Sequence, residues 1–461
     1  MPVSANALAR DIETLIHPYT NLAAFRDQGP LILESGKGIH VYDSAGKAYI
    51  DGMAGLWCTS LGYGNEELVQ AASEQMRKLP FAHIFGGKSH DPAIALAEKL
   101  KEIAPAPASK VFFASSGSEA NDTQVKLAWY YNNARGKPQK KKILSRKRAY
   151  HGVTLAAASL TGLPGNHMDF DLPFAWARHL TCPHYYREGL PGESEEEFAT
   201  RLAAELRETI EREGPDTVAA FIAEPVMGAG GVIVPSKSYY AKMQAVLREY
   251  DVLFIVDEVI CGFGRTGNMF GSQTFGLTPD SITMAKALTS AYAPLAAITV
   301  PEHVYEAMLD ESRKLGTFGH GFTYSGHPVS AAVGLKAIEI YERDNVVGHV
   351  RAISPAFLGR LHGVSEHPLV GETRGIGLIG GIELVADKAT KRAFDPKIGV
   401  GARMAKFCEE EGLIARAMGD SIALCPPLII TEAEINTLFD SLEKALQKTE
   451  SWVAKENLRA A

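Results

Sequence analysis

The run Val252-Leu-Phe-Ile-Val-Asp257-Glu258 decides the fold. Apolar residues, β-branched and aromatic among them, end abruptly on two carboxylates, the pattern of a strand buried on both faces of a parallel sheet. In an open sheet of this kind the carboxyl ends of the strands line the ligand crevice, so Asp257 stands where a carboxylate would meet a ligand. Upstream, Val111-Phe-Phe-Ala-Ser and Thr217-Val-Ala-Ala-Phe-Ile-Ala have the same character, with longer helical patterns between such runs. Before Val252, the segment from Ser236 to Tyr250 spaces Tyr240, Met243, Val246 and Leu247 along one helical face, which predicts a right-handed crossover. From about Lys110 to Val300 the chain therefore reads as α/β, a parallel sheet covered by helices.

With 461 residues, 46% hydrophobic and 22% charged, the chain can build one large and one smaller domain. A net charge of −7 leaves no excess of basic side chains to neutralise phosphates, which argues against a nucleic-acid partner. Arg10, Asp11 and Glu13 interrupt any apolar signal core, and no run of about 18 uncharged apolar residues occurs, so no membrane segment is expected. The scattered cysteines Cys58, Cys182, Cys261, Cys408 and Cys425 point to buried thiols in a reducing compartment, with the cytoplasm as the default. Beyond about Ser330 the texture changes to helical stretches such as Ala331 to Arg343, a Gly-rich turn between Gly371 and Gly381, and a strand Gly381-Ile-Glu-Leu-Val. Val41-Tyr-Asp-Ser-Ala-Gly-Lys-Ala-Tyr-Ile, near the other end, reads as two short strands about a turn. The expected organisation is a segment 1–60 joining a small domain 330–461, with a large domain 61–329 between them. The basic run Lys137 to Arg148 reads as a solvated connection, and Glu193 to Glu197 as the acidic first turn of a helix capped by Ser194.

Three pieces of sequence carry chemistry. In Ser281-Ile-Thr-Met-Ala-Lys286-Ala-Leu, Lys286 has small and apolar neighbours that strip its hydration; a lysine so placed loses its proton more readily and condenses with aldehydes. In isolation it reads more readily as a surface lysine opening a helix. The strand Lys110 to Ala114 runs into Ser115-Ser-Gly117-Ser118-Glu-Ala-Asn-Asp122, a hydroxyl-rich helix start whose free N–H groups suit a phosphate, or merely an N-cap by Ser116 or Ser118. Asp257 is the third piece. A phosphate cradle, a carboxylate and an aldehyde-reactive amine at one sheet edge are together what pyridoxal phosphate requires. Two nucleotide patterns compete weakly. Gly375-Ile-Gly377-Leu-Ile-Gly380 spells a dinucleotide fingerprint, yet it leads into a strand rather than a helix, and Gly86-Gly-Lys-Ser89 has Ala82 where a P-loop needs its first glycine. An NAD-dependent oxidoreductase is thereby disfavoured.

The chain strongly resembles the class III aminotransferases, pyridoxal-phosphate enzymes of fold type I. The matching stretches are SSGSEAND, AYHG at Ala149 to Gly152, AEPV at Ala223 to Val226, DEVICGFGRTG at Asp257 to Gly267, Lys286, GFTYSGHP at Gly321 to Pro328 and RGIGLIGGIEL at Arg374 to Leu384. The resemblance implies a large domain with a mostly parallel seven-stranded sheet between helices and a smaller mixed α/β domain. It casts Lys286 as the lysine that bonds the cofactor and shuttles the proton, and Asp257 as the partner of the pyridinium nitrogen. Ser116, Gly117 and Ser118 become the phosphate cradle, completed by Thr323, beside Phe322, from the other subunit of a homodimer or a dimer of dimers. Tyr150 becomes the ring stacked on the cofactor, His151 a support for Asp257, and Glu224 and Val259 cofactor-lining residues.

Departures from the family pattern bear on substrate. Members that use glutamate carry a glutamate soon after Glu-Pro, held against an arginine just before Pro-Pro-Leu; here Ala229 and an apolar residue near Ala423 fill those positions. Arg416 stands instead where pyruvate-dependent ω-aminotransferases carry a mobile arginine, and its planar fork suits the carboxylate of pyruvate or alanine. Tyr19, Trp57 and Phe85 match the aromatic walls of the substrate pocket in that subgroup. The expected reaction is a ping-pong transfer from a primary amine or ω-amino acid to a pyruvate-like keto acid, with no metal. The alternatives are a 2-oxoglutarate-dependent aminotransferase, or a decarboxylase, epimerase or aminomutase on the same fold.

Overall fold

The computed structural model describes residues 5–459. Among them, seven strands form the central sheet: β1 Lys110–Ala114, β2 Lys142–Arg146, β3 Ala177–Leu180, β4 Val218–Ala223, β5 Leu253–Asp257, β6 Ser281–Met284 and β7 Ala296–Val300, in the order β1-β7-β6-β5-β4-β2-β3. The contiguous set from β3 through β6 is parallel, and β7 runs against both β6 and β1. Every residue of β4, β6 and β7 is buried, as continuous apolar runs require when helices cover both faces. The crossover between β4 and β5 is the helix Tyr239–Glu249, which buries the expected Tyr240, Met243, Val246 and Leu247 together with Tyr239. The helix Glu195–Glu213 starts at a capping box in which Ser194 and Glu197 satisfy each other's backbone N–H.

The N-terminal hairpin pairs His40–Asp43 with Ala48–Asp51, and the second of these strands pairs in parallel with Leu413–Ile414 from the far end of the chain. A second small sheet joins Val370–Ile376, Ile379–Leu384, Ser421–Leu424 and Arg416–Met418, all antiparallel. The Gly-rich passage is thus mostly strand rather than a turn. Its turn is confined to Gly377 and Leu378, where φ of 60° at Gly377 and a backbone carbonyl 2.3 Å from any added Cβ exclude a side chain. A hairpin cannot present helix N–H groups to a pyrophosphate, so the dinucleotide reading fails on geometry.

The basic run is the clearest correction to the sequence reading. Lys140 and Arg146 are 1% and 0% exposed, and the run includes β2 itself. Lys140 donates to the Asp251 carbonyl at 2.6 Å, Lys142 pairs with Glu213, and Arg146 donates to Tyr240 Oη and the Glu224 carbonyl. Charge spacing alone could not show that these cations meet acceptors from residues 70 to 110 positions away. All five cysteines are free, four buried and Cys58 half-buried. Among the described residues no helix is long and apolar enough to cross a membrane, and no group of side chains could hold a metal ion.

Candidate active site

The carboxyl ends of β1, β2, β4, β5 and β6 deliver Ser115, Tyr150, Glu224, Asp257 and Lys286 to one cavity of about 340 Å³. Ser116, Gly117, Ser118, His151 and Val259 line it as well. Nine residues expected at a cofactor site therefore converge, a consequence of parallel strands placing all their exits along the same edge. The volume is that of a small-molecule pocket.

At one end the helix Gly117–Ala134 begins, capped by Ser116 Oγ, which accepts from Glu119 N at 3.2 Å. Ser115 N donates to the Glu119 carboxylate at 2.7 Å, and Ser118 Oγ accepts from Val153 N at 3.1 Å while its own proton stays available. A Cβ on Gly117 would lie 3.2 Å from Val259, and one on Gly152, at φ +131°, would lie 2.5 Å from Ser118 Oγ. The backbone is therefore packed tightly round a helix N-terminus, the arrangement that receives a phosphate.

Asp257 is 3% exposed and fully engaged. Its Oδ2 accepts from Asn121 Nδ2 and His151 Nδ1, each at 2.8 Å, and Oδ1 accepts from Val259 N at 3.1 Å. Asn121 also donates to the His151 carbonyl at 2.7 Å, locking carboxylate and imidazole together. Sequence reasoning missed Asn121, although it lies three and four residues beyond Ser118 and Gly117 and so shares their helix face. The next residue, Glu258, points away from the cavity, as strand alternation demands: it takes the Ser272 N–H and hydroxyl at 2.6 Å and Gly271 N at 3.0 Å, and burial pushes it up to about 7.

The side-chain amine of Lys286 makes no hydrogen bond or ion pair among the described residues, while its backbone carbonyl accepts from Ala291 N. Burial lowers its pKa, opposed by the charges of Cys58, Asp257 and Glu224. Its backbone is left-handed at φ 49°, as are Ser290 and Ala291, a conformation that costs a non-glycine residue free energy and collects at functional sites. Glu224 spans the cavity wall, its two oxygens accepting from Tyr150 N and Gly228 N at 3.0 Å, and burial raises its pKa. Burial, then the neighbouring Tyr19 hydroxyl, raises the pKa of Tyr150. Tyr19 in turn accepts from Asn166 Nδ2 at 2.6 Å.

The remaining expected residues lie round this cavity rather than on it. Arg416 sits on a strand edge opposite Ala423; burial lowers its pKa, and Tyr150 and Tyr19 are its polar neighbours. Among the described residues no carboxylate pairs with it. Trp57 is 2% exposed and belongs to a buried cluster with Met53, Val226, Val232 and Ile260, of which Ile260 lines the cavity. Ala229 is half-buried two residues before Gly231. Phe85 lies against Gly321, next to Phe322 and the exposed Thr323, so in one protomer these three form a separate patch. Cys58, Thr289 and Leu295 line the cavity and carried no sequence signal.

The residues present fit pyridoxal phosphate: a helix N-terminus closely packed at Gly117, an anchored carboxylate, and a desolvated lysine whose amine has no partner among the described residues. Comparison with known proteins agrees. The family profile described as aminotransferase class-III matches residues 23–446. Gamma aminobutyrate transaminase 1, mitochondrial, of Solanum lycopersicum is 51% identical over 440 residues, covering 95% of this chain and 85% of that protein. The crystal structure of the omega transaminase from Pseudomonas jessenii in complex with PMP superposes with TM-score 0.96 at 54% identity over 97% of this chain and 99% of that one. A thermostable omega transaminase variant with a tryptophan, a phenylalanine and an arginine replaced, engineered for asymmetric synthesis of enantiopure bulky amines, has TM-score 0.95 at 53% identity over 97% of this chain and 100% of that one.

Proposed function

From the membership of this chain in the class III aminotransferases, which use pyridoxal 5'-phosphate, we propose that it transfers the amino group of a primary amine or ω-amino acid to pyruvate, leaving an aldehyde or ketone and alanine in two successive half-reactions. The observation that carries the keto-acid half is Arg416, a half-buried guanidinium with no carboxylate partner among the described residues, with Tyr150 and Tyr19 as its polar neighbours. A partly desolvated cation of this kind is stabilised when a ligand supplies the anion. Ala229 and Ala423 offer no second charged group to select a dicarboxylate, which favours pyruvate over 2-oxoglutarate.

When bound, pyridoxal phosphate supplies an aldehyde for the amine and a ring that accepts the electron pair of the substrate C–H bond. The Ser116 to Ser118 turn would hold the phosphate, and Tyr150, fixed through its backbone N–H by Glu224, would cover the ring and exclude water. Asp257, oriented by Asn121, His151 and Val259, is the carboxylate that would meet the ring nitrogen. Lys286 Nζ, whose pKa burial lowers, is the amine that would meet the aldehyde and would carry the proton to and from the substrate carbon. The protein acts as a homodimer in which Phe85, Phe322 and Thr323 of one protomer face the other's site.

Two relatives shape the choice of amine. The tomato protein is named for γ-aminobutyrate, an ω-amino acid whose carboxylate Arg416 would hold in the donor half as it holds pyruvate in the acceptor half. In the engineered variant, the three replaced residues follow one another at the spacing of Trp57, Phe85 and Arg416, which supports these positions as the ones that tune pocket size. The test is a half-reaction screen: single amines, γ-aminobutyrate and arylalkylamines among them, are mixed with holoenzyme, and conversion of the cofactor to its amine form is followed by absorbance. Pyruvate should then restore the starting spectrum. Restoration by 2-oxoglutarate and not by pyruvate refutes the assignment.

A further inference from the structure

The segment from Gly316 to His327 carries Phe322 and Thr323 and contains no helix or strand. Its backbone hydrogen bonds are local turns, such as Ser325 N to the Phe322 carbonyl, and the side-chain contacts that tie it to neighbouring elements concentrate at His320. Its ring stacks on Phe112 of β1 at 5.2 Å and 7°, with the edges of Phe318 and Phe322 at 6.0 and 5.3 Å. Lys126 Nζ lies 2.8 Å from Nδ1, and Thr123 Oγ1 lies 3.0 Å from Nε2.

The proton positions follow from donor inventory. An ammonium can only donate, so Nδ1 accepts; Nε2 then carries the hydrogen and donates to Thr123 Oγ1. Thr123 passes its own proton to the Glu119 carbonyl at 2.8 Å. Every member of the chain is satisfied with the imidazole neutral, and burial together with Lys126 pushes His320 down to about 4. Thr123 and Lys126 both belong to the helix Gly117–Ala134, whose first turn is the phosphate cradle of the same protomer.

We propose that His320 is a positioning residue that fastens the Phe322–Thr323 loop to the cradle helix, so that one protomer's histidine sets how firmly the other protomer's site grips the cofactor phosphate. The inference rests on the reading of Thr323 as a phosphate contact across the dimer. The two phosphate-binding elements, one serving each site, are joined in a single protomer by two hydrogen bonds, with the His320 ring stacked on Phe112 of the strand that leads into the cradle. A shift of the loop would move Thr323 without touching Lys286 or Asp257.

The experiment measures equilibrium dissociation of pyridoxal phosphate and of pyridoxal, which lacks the phosphate, from dimeric protein. His320→Phe keeps the stack on Phe112 and removes both hydrogen bonds; Thr323→Val removes the hydroxyl it is argued to place. Each should weaken pyridoxal phosphate by about threefold to tenfold, the loss expected for one net hydrogen bond, and leave pyridoxal unchanged. The double variant should be no worse than the weaker single one, because the two residues act in series. Additive losses, or equal losses for pyridoxal and its phosphate, overturn the proposal. Normal affinity in His320→Phe with a loss in Thr323→Val overturns it while sparing the cross-subunit reading; normal affinity in Thr323→Val removes both. If His320→Phe does not fold, Thr123→Val takes away the acceptor that His320 engages and is judged by the same outcomes.

Discussion

Replacing Asp257 by asparagine separates the structural work of this residue from its charge. The site offers three N–H donors to the carboxylate: Asn121 Nδ2 and His151 Nδ1 to one oxygen, and Val259 N to the other. An amide has one oxygen. Its better orientation keeps that oxygen on the side of Asn121 and His151 and turns its own NH₂ toward Val259 N, which costs one hydrogen bond and creates one donor–donor contact. At this depth of burial that is about 1–3 kcal/mol of stability. The catalytic cost is separate. Loss of a unit charge beside the cofactor ring, at an ordinary ion-pair separation and an effective dielectric of about 20, is worth roughly 4 kcal/mol, or about a thousandfold in rate. Asp257→Asn should therefore remain folded, retain part of its cofactor, and carry out the single-turnover reaction with amine about three orders of magnitude more slowly by stopped-flow absorbance. A single-turnover rate within tenfold of the parent, with the expected fall in melting temperature, refutes the reasoning: Asp257 would then be only a structural acceptor.

Three further perturbations test other parts of the site. Lys286→Met should abolish turnover yet stabilise the apoenzyme at neutral pH. Burial lowers the lysine pKa, so the unfolded chain binds the proton more tightly, and apoenzyme stability rises with pH between the lowered value and the ordinary 10.5; removing the amine should erase that slope and add about 1.4 kcal/mol per unit of lowering. An unchanged slope in calorimetry counts against a desolvated amine. Arg416→Ala should raise KM for pyruvate at least about tenfold while leaving an uncharged arylalkylamine within about twofold, since only the acid loses a charge-assisted pair; equal effects on both argue against the carboxylate role. Arg374 ties Glu372 at 2.7 Å and Glu383 at 2.9 Å and donates to the Gly231 carbonyl at 2.8 Å, beside the Ala229 segment. Arg374→Met takes one partner from each of two carboxylates, leaving Glu372 with His184 and Glu383 with Arg187 and Ser421; it should cost about 1–3 kcal/mol by chemical denaturation, and a loss below about 0.5 kcal/mol would show that the remaining partners compensate.

How much of this was legible beforehand depended on the range of the signal. Strands with continuous apolar runs, such as β4 and β5, declare their burial locally, and a carboxylate or a hydroxyl-rich turn immediately after such a run declares the crevice edge. That is why Lys286, Asp257 and the Ser116 to Ser118 turn could be placed together from the sequence. Arg146 gave the opposite result: within a basic run it looks solvated, and only the fold shows its partners to be Tyr240 and the Glu224 carbonyl. The Gly-rich passage from Gly371 failed for a related reason, because hairpin pairing rather than glycine content decides whether such residues extend or turn.

By itself, then, the sequence determined the α/β class, the cofactor and the residues at the strand ends, because strand exits in a parallel sheet share one edge whatever the intervening loops do. The tertiary structure alone decided that Asn121 bridges Asp257 to His151, that Trp57 is buried in a cluster with Ile260, that Arg416 lies with Tyr19 and Tyr150, and that His320 joins two distant segments. Those contacts depend on how separate elements are registered against each other, and no local pattern of residues encodes that register.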